Sequence, residues 1–216
     1  MSHLIALDLD GTLEDSRDDM VAAVLRVRAG FGLSERPGAE FLPHVNAGMD
    51  HLYRQCFADY VGADGALDEV RAAYEADYLA HIADATRLYP GMGDALVELA
   101  ALGSLACVTN KPERLSAALL EALGVGRLFS AVIGGDTCPE CKPSPRVLVE
   151  ASRRVGRSGA ALMIGDSAAD VKCGRAFGAT TIWCAWGYAA EPGAEPPDHR
   201  AAAPHELPRL VRSLLP

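Results

Sequence analysis

Three short apolar runs punctuate the chain, His3–Leu7, Ser104–Val108 and Ala160–Ile164, with weaker ones at Ala131–Ile133 and Thr180–Cys184. Runs of this length, separated by segments of helical period, predict parallel strands buried on both faces. Between them, Met92, Leu96, Leu99 and Leu102 recur at helical spacing, so Gly91–Leu102 predicts a helix. Pro112–Leu123 begins on a proline, carries Leu115, Leu119 and Leu123 on one stripe, and stops at Gly124, which are start and stop signals of a helix. Pro145–Val155, Ala168–Phe177 (stopped by Gly178) and His205–Leu215 predict three more. Glu191–Asp198, with three prolines, predicts a loop.

Asp15 to about Ala83 has no strand pattern. It predicts helices at Ser16–Arg28, Gly48–Tyr60 and Ala66–Ala83, with turns at Ser34–Ala39 and Val61–Gly65. Ser16 followed by Asp19 has the spacing of a capping box. The fold class is therefore α/β, a doubly wound parallel sheet with an inserted helical domain. The expected domains are a core of residues 1–14 and 84–216 and an insert of residues 15–83.

The chain has 216 residues, of which 50% are hydrophobic and 23% charged. That composition suits a packed core and excludes disorder and a disulfide mini-scaffold. No uncharged apolar stretch approaches the roughly 18 residues of a membrane span. The net charge is −9, and lysine occurs only at positions 111, 142 and 172. Nucleic-acid binding by a basic surface is thereby excluded as an expectation, and an anion would have to be met at one local pocket. No signal-peptide pattern precedes the first strand, which predicts a cytoplasmic protein whose six dispersed cysteines are reduced thiols. Cys138-Pro-Glu-Cys141 is read as two loop thiols, because a closed zinc site wants four ligands and no second pair of this spacing is present.

Chemistry-bearing residues gather at the strand tips, where ligands bind in open α/β sheets. The first strand runs into Asp8-Leu-Asp10-Gly-Thr12, with both acids on one side; two such carboxylates call for a hard cation between them. The second runs into Thr109-Asn110-Lys111-Pro112, a neutral donor set suited to an oxyanion. Lys142 follows the third, before a proline-started helix. Asp166 leaves the fourth, and Asp170 follows one helical turn later. Each tip has an ordinary structural explanation, an N-cap or a solvated loop. Four consecutive tips supplying a carboxylate pair, a hydroxyl, a lysine and another carboxylate pair do not share one.

In this order, Asp8-Leu-Asp-Gly-Thr-Leu-Glu-Asp-Ser16, Val108-Thr-Asn-Lys-Pro112, Lys142-Pro-Ser-Pro145 and Gly165-Asp-Ser-Ala-Ala-Asp170 resemble the motifs of the haloacid dehalogenase superfamily. The helical insert is similar to that superfamily's C1 cap. Tyr89-Pro-Gly-Met92, Thr109-Asn-Lys-Pro112, Val132-Ile-Gly-Gly-Asp136 and Trp186-Gly-Tyr188 resemble its phosphoglycolate phosphatase branch. Glu14 departs from the pattern, where relatives carry an apolar residue, and the Thr137–Cys141 loop is longer than usual.

The resemblance implies a phosphatase acting on a small phosphorylated metabolite, with 2-phosphoglycolate the best single candidate. Asp8 would be the nucleophile and Asp10 the general acid and base. Mg²⁺ would be held by Asp8, the Asp10 backbone carbonyl and Asp166, with Asp170 behind them holding the metal or Lys142. Thr109, the Asn110 backbone and Lys142 would bind phosphate. A β-phosphoglucomutase-like mutase, a pyrophosphatase and a nucleotide phosphatase share these core motifs. A non-catalytic metal- and phosphate-binding regulatory module would use the same fold with a motif residue lost, and none of Asp8, Asp10, Thr109, Lys142 or Asp166 is missing. A Schiff-base hydrolase is excluded, since no lysine precedes Lys111. In the insert, Arg17, Asn46, Gly48 and Arg54 are candidate substrate contacts.

Overall fold

A computed structural model describes residues 3–45, 48–62 and 66–216. Two compact units emerge, Met1–Asp15 with Leu88–Pro216, and Ser16–Arg87. In chain order the described elements are β1 (Leu4–Leu7), β2 (Glu14–Asp15), α1 (Arg17–Gly30), α2 (Leu42–Val45), α3 (Met49–Cys56), α4 (Ala66–Ala80), β3 (Arg87–Leu88), α5 (Met92–Ala100), β4 (Ser104–Val108), α6 (Glu113–Ala122), β5 (Phe129–Ile133), α7 (Arg146–Val155), β6 (Ala161–Gly165), α8 (Ala168–Phe177), β7 (Thr180–Cys184), β8 (His199–Ala201) and α9 (Leu207–Leu214).

Six strands form one sheet in the order β5-β4-β1-β6-β7-β8, and every neighbouring pair is parallel. Leu4, Ala6, Ala106, Val108, Ile133 and Met163 point to one face, against Val147, Leu148 and Ala151 of α7 and Cys173 of α8. Their alternates Ile5, Leu7, Leu105, Cys107, Leu162 and Ile164 are buried on the other face. Burial on both sides is why these strands are continuous apolar runs rather than alternating ones.

Register fixes where the polar tips fall. Leu7 lies opposite Cys107 on one side and Ile164 on the other, so the residues just beyond β1, β4 and β6 come level at one sheet edge. The chain leaves β1 for β4 and β5 on one side and later crosses to β6 on the other. This reversal is the topological switch point at which such sheets hold ligands.

Glu191–Asp198 carries no helix or strand, as expected of a loop, and an element that the sequence pattern does not show follows it. His199–Ala201 forms edge strand β8, paired with Ile182–Cys184. Asp198 secures it: its carboxylate accepts from Thr181 N at 2.9 Å and Thr181 Oγ1 at 2.8 Å.

The helical unit has its own core of Met20, Val24, Leu52, Phe57, Val70 and Tyr74, all buried. The capping box expected at Ser16 and Asp19 does not form. Ser16 makes no side-chain cap bond, because Asp19 accepts instead from Ala85 N at 3.0 Å and from Thr86 N at 2.8 Å and Oγ1 at 2.6 Å. A carboxylate gathering several donors outside its own helix holds the two ends of this unit together. Arg28, buried on α1, likewise binds Asp59 through two 2.7 Å contacts and the Cys56 carbonyl at 2.7 Å. Short elements that the sequence pattern does not show include a 3₁₀ turn at Gly38–Glu40, the four-residue α2 and the two-residue strands β2 and β3.

Candidate active site

Asp8 sits at the centre of the switch point. Its backbone N–H bonds the Ile164 carbonyl at 2.9 Å, which continues the β1–β6 ladder one residue past the strand. Its Oδ1 accepts from Leu9 N and from Lys142 Nζ, both at 2.7 Å. Lys142 Nζ also contacts Asp170 Oδ1 at 2.6 Å. The lysine is thus a buried bridge between two carboxylates.

Asp170 is held in turn by its own helix start. Its Oδ2 accepts from Ser167 N at 2.9 Å and Ser167 Oγ at 2.6 Å, and the Ser167 hydroxyl takes the Asp170 N–H, which completes a capping box. Asp166 accepts from Thr12 Oγ1 at 3.2 Å and from Tyr188 N at 2.7 Å. Trp183 Nε1 donates to its carbonyl at 3.0 Å. Glycines make room for these acids: a Cβ at Gly187 would stand 2.2 Å from Asp166 Cβ, and one at Gly165 would stand 2.3 Å from Asp170 Cγ.

One oxygen of each of Asp8, Asp166 and Asp170 lies within 4.8 Å of the others. Burial first, and the Asp170 charge second, raise Asp8 well above the ordinary carboxylate range. The same two causes push Asp166 up to about 6. Lys142 goes the other way from a typical buried lysine: burial lowers it, but Asp170 and Asp8 offset this and hold it above its usual value. Three buried carboxylates with one lysine among them are short of positive charge. An all-oxygen donor set with that deficit fits a hard divalent cation.

The β4 tip completes the site. Asn110 binds the backbone of Lys142 twice, accepting from its N–H at 2.9 Å and donating to its carbonyl at 3.2 Å. Thr109, also buried, accepts Lys111 N at 3.2 Å through its hydroxyl. The Gly134–Gly135 pair packs flat on this loop, since a Cβ at Gly135 would lie 2.4 Å from the Asn110 carbonyl oxygen. Lys111 Nζ reaches Asp10 Oδ1 at 2.5 Å.

The family model of haloacid dehalogenase-like hydrolases matches residues 3–178. The chain belongs to the haloacid dehalogenase-like hydrolases. It is 40% identical over 190 residues to a phosphoglycolate phosphatase of Chromobacterium violaceum, covering 86% of each chain. It is 36% identical to one of Pseudomonas putida, across the whole of this chain and 79% of that one. In structure it is similar to a predicted phosphoglycolate phosphatase from Haemophilus somnus 129pt, with a TM-score of 0.83, 25% identity and coverage of 96% and 97%.

In this hydrolase the structure brings Asp8, Asp166, Asp170 and Lys142 into one cluster, with Asn110 bound to the Lys142 backbone. The Asp10 carboxylate stands outside the group of three acids and pairs with Lys111. The spacing of the motif assigns Lys111 no role, although the rarity of lysine in the chain is a signal. Tyr188 was also missed as a site residue, because a backbone N–H has no side-chain signature. Among the insert candidates, Asn46 lies outside the described residues. Gly48 precedes α3 with a φ of 95°, and Arg17 opens α1. Arg54 is exposed and pairs with Asp50 at 3.2 Å. None of the six cysteines is in a disulfide; Cys138 is half-buried and Cys141 exposed. Among the described residues no helix is long and apolar enough to cross a membrane.

Proposed function

We propose that this hydrolase is a magnesium-dependent phosphatase that cleaves a small phosphorylated metabolite through an aspartyl-phosphate on Asp8. The observation that carries this reading is the Asp8 carboxylate itself. It is fixed by Leu9 N and Lys142 at the switch point, with Asp10 two residues on. The names of the Chromobacterium violaceum and Pseudomonas putida relatives support 2-phosphoglycolate as the substrate.

Asp8 attacks phosphorus, and the bond to the ester oxygen breaks. The released electron pair stays on that oxygen, which takes a proton from the Asp10 carboxyl. Asp10 then accepts a proton from the attacking water, phosphate leaves, and Asp8 is regenerated. Lys142 neutralises Asp8 and the transferring group, while the Thr109 hydroxyl and the Asn110 backbone hold phosphate oxygens. Asp170 keeps Lys142 in place.

Asp8 and Asp166, with the Asp10 backbone carbonyl, would hold Mg²⁺, which when bound supplies positive charge to the phosphate oxygens. We assign the helical unit Ser16–Arg87 the role of cap, from its place in the chain between the first two motifs. We also place the protein in the cytoplasm, where six unpaired thiols are stable.

The test is phosphate release from 2-phosphoglycolate, hexose phosphates, nucleotides, pyrophosphate and a phosphopeptide, with and without Mg²⁺. The expected result is Mg²⁺-dependent release, greatest from 2-phosphoglycolate. A best rate on the phosphopeptide contradicts the small-metabolite reading, and no release from any of them contradicts the phosphatase.

A further inference from the structure

Two buried ammonium groups serve this site, and they face different steps of the reaction. Lys142 is committed to Asp8 and Asp170 at 2.7 and 2.6 Å. Lys111 is committed to Asp10, at 2.5 Å, and its side chain is only 2% exposed. On the reading above, Asp8 meets the phosphorus and Asp10 meets the leaving oxygen. Lys111 is therefore the cation on the leaving-group side.

Its backbone is fixed there. Lys111 N bonds Thr109 Oγ1 at 3.2 Å, and its carbonyl accepts from Gly135 N at 2.9 Å. The glycine pair seats this loop too closely for a side chain at position 134, where a Cβ would be 2.1 Å from Glu113 N. The backbone from which the ammonium extends is thereby fixed, and Asp10 holds the ammonium itself.

We infer that Lys111 determines specificity by binding an anionic group on the leaving alcohol, a carboxylate one carbon from the ester oxygen. The inference rests on the phosphatase reading. An oxygen hydrogen-bonded to Asp10 Oδ1 at about 2.7 Å lies within roughly 5 Å of Lys111 Nζ, which contacts the same atom. The carboxylate of a 2-hydroxy acid has its oxygens on the order of 3 Å from that ester oxygen, so it spans the gap. An ammonium carries three donors, and the Asp10 carboxylate occupies one of them. A charge-assisted bond in a buried site is about twice as strong as one to a neutral hydroxyl, which separates a 2-hydroxy acid from a sugar. A phosphoanhydride also offers an anion here, and the experiment distinguishes it.

The test compares kcat/KM for 2-phosphoglycolate, its carboxyl methyl ester, ethyl phosphate and pyrophosphate, in the wild type and in Lys111→Met and Lys111→Arg. In the wild type, methylating the carboxylate should lower kcat/KM by at least about tenfold, mainly through KM. Lys111→Met should lose at least about tenfold more on 2-phosphoglycolate than on ethyl phosphate, and Lys111→Arg should recover part of that excess. Equal rates for the acid and its methyl ester in active wild-type enzyme overturn the assignment, with no variant needed. Equal losses on 2-phosphoglycolate and ethyl phosphate overturn it too, and leave Lys111 as a positioning residue for Asp10. An excess loss confined to pyrophosphate replaces the carboxylate by a phosphate. No turnover of any of the four by the wild type refutes the phosphatase reading instead.

Discussion

The side-chain amide of Asn110 closes a ring on the backbone of Lys142, accepting its N–H at 2.9 Å and donating to its carbonyl at 3.2 Å. The tip of β4 thereby sets the position of a lysine that belongs to the loop after β5. Hydrogen bonds of this kind contribute about 1 kcal/mol each. Asn110→Ala should therefore lower kcat by about 10- to 100-fold with a small change in melting temperature. An unchanged kcat would show that Lys142 is positioned by its carboxylates alone.

Gly187 has a different task, which is to be small. A Cβ there would meet Asp166 Cβ at 2.2 Å, and the next residue supplies the N–H that Asp166 Oδ2 accepts. Gly187→Ala should displace Asp166, weaken Mg²⁺ binding by more than about tenfold and cost about 1–3 kcal/mol of stability. Calorimetric titration of Mg²⁺ with chemical denaturation checks both; wild-type affinity would mean that Asp166 is not a ligand.

The metal-free protein should lose stability as the pH rises. Burial, then Asp170, pushes Asp166 up to about 6, so the folded state retains a proton that an unfolded aspartate releases near pH 3.9. That contribution is fully present below about pH 4 and is lost as the pH rises through about 6, on the order of 3 kcal/mol. Mg²⁺ replaces the missing positive charge only when the acids are ionised. Its stabilising effect should accordingly be larger at pH 7.5 than at pH 4.5, and Asp166→Asn should make the metal-free profile shallower, with the contribution of Asp8 remaining. Thermal unfolding in EDTA and in Mg²⁺ across this range decides it; a Mg²⁺ effect independent of pH would contradict it.

Much of this site was legible because strands buried on both faces are written as apolar runs, and the polar residues ending them stand out. Edge strand β8 was not legible, since His199-Arg200-Ala201 carries no such run and is held by the Asp198 side chain. The pattern Ser-x-x-Asp occurs at Ser16 and at Ser167, yet only the second forms a capping box. The difference is tertiary: Asp19 is drawn to Ala85 and Thr86, 66 and 67 residues away. Lys111 lay inside a recognised motif, but nothing in its spacing says that its ammonium ends on Asp10. The Tyr188 N–H was hidden for a simpler reason, that any residue could supply it.

Asp8 is the nucleophile on this account, and Asp10 its acid–base partner. The most direct measurement is steady-state turnover of 2-phosphoglycolate and p-nitrophenyl phosphate in Mg²⁺ by purified Asp8→Asn and Asp10→Asn, each shown to be folded by its circular dichroism and melting curve. Removing either role should lower kcat by at least about a thousandfold on both substrates. Near-wild-type turnover by folded Asp8→Asn would contradict the account.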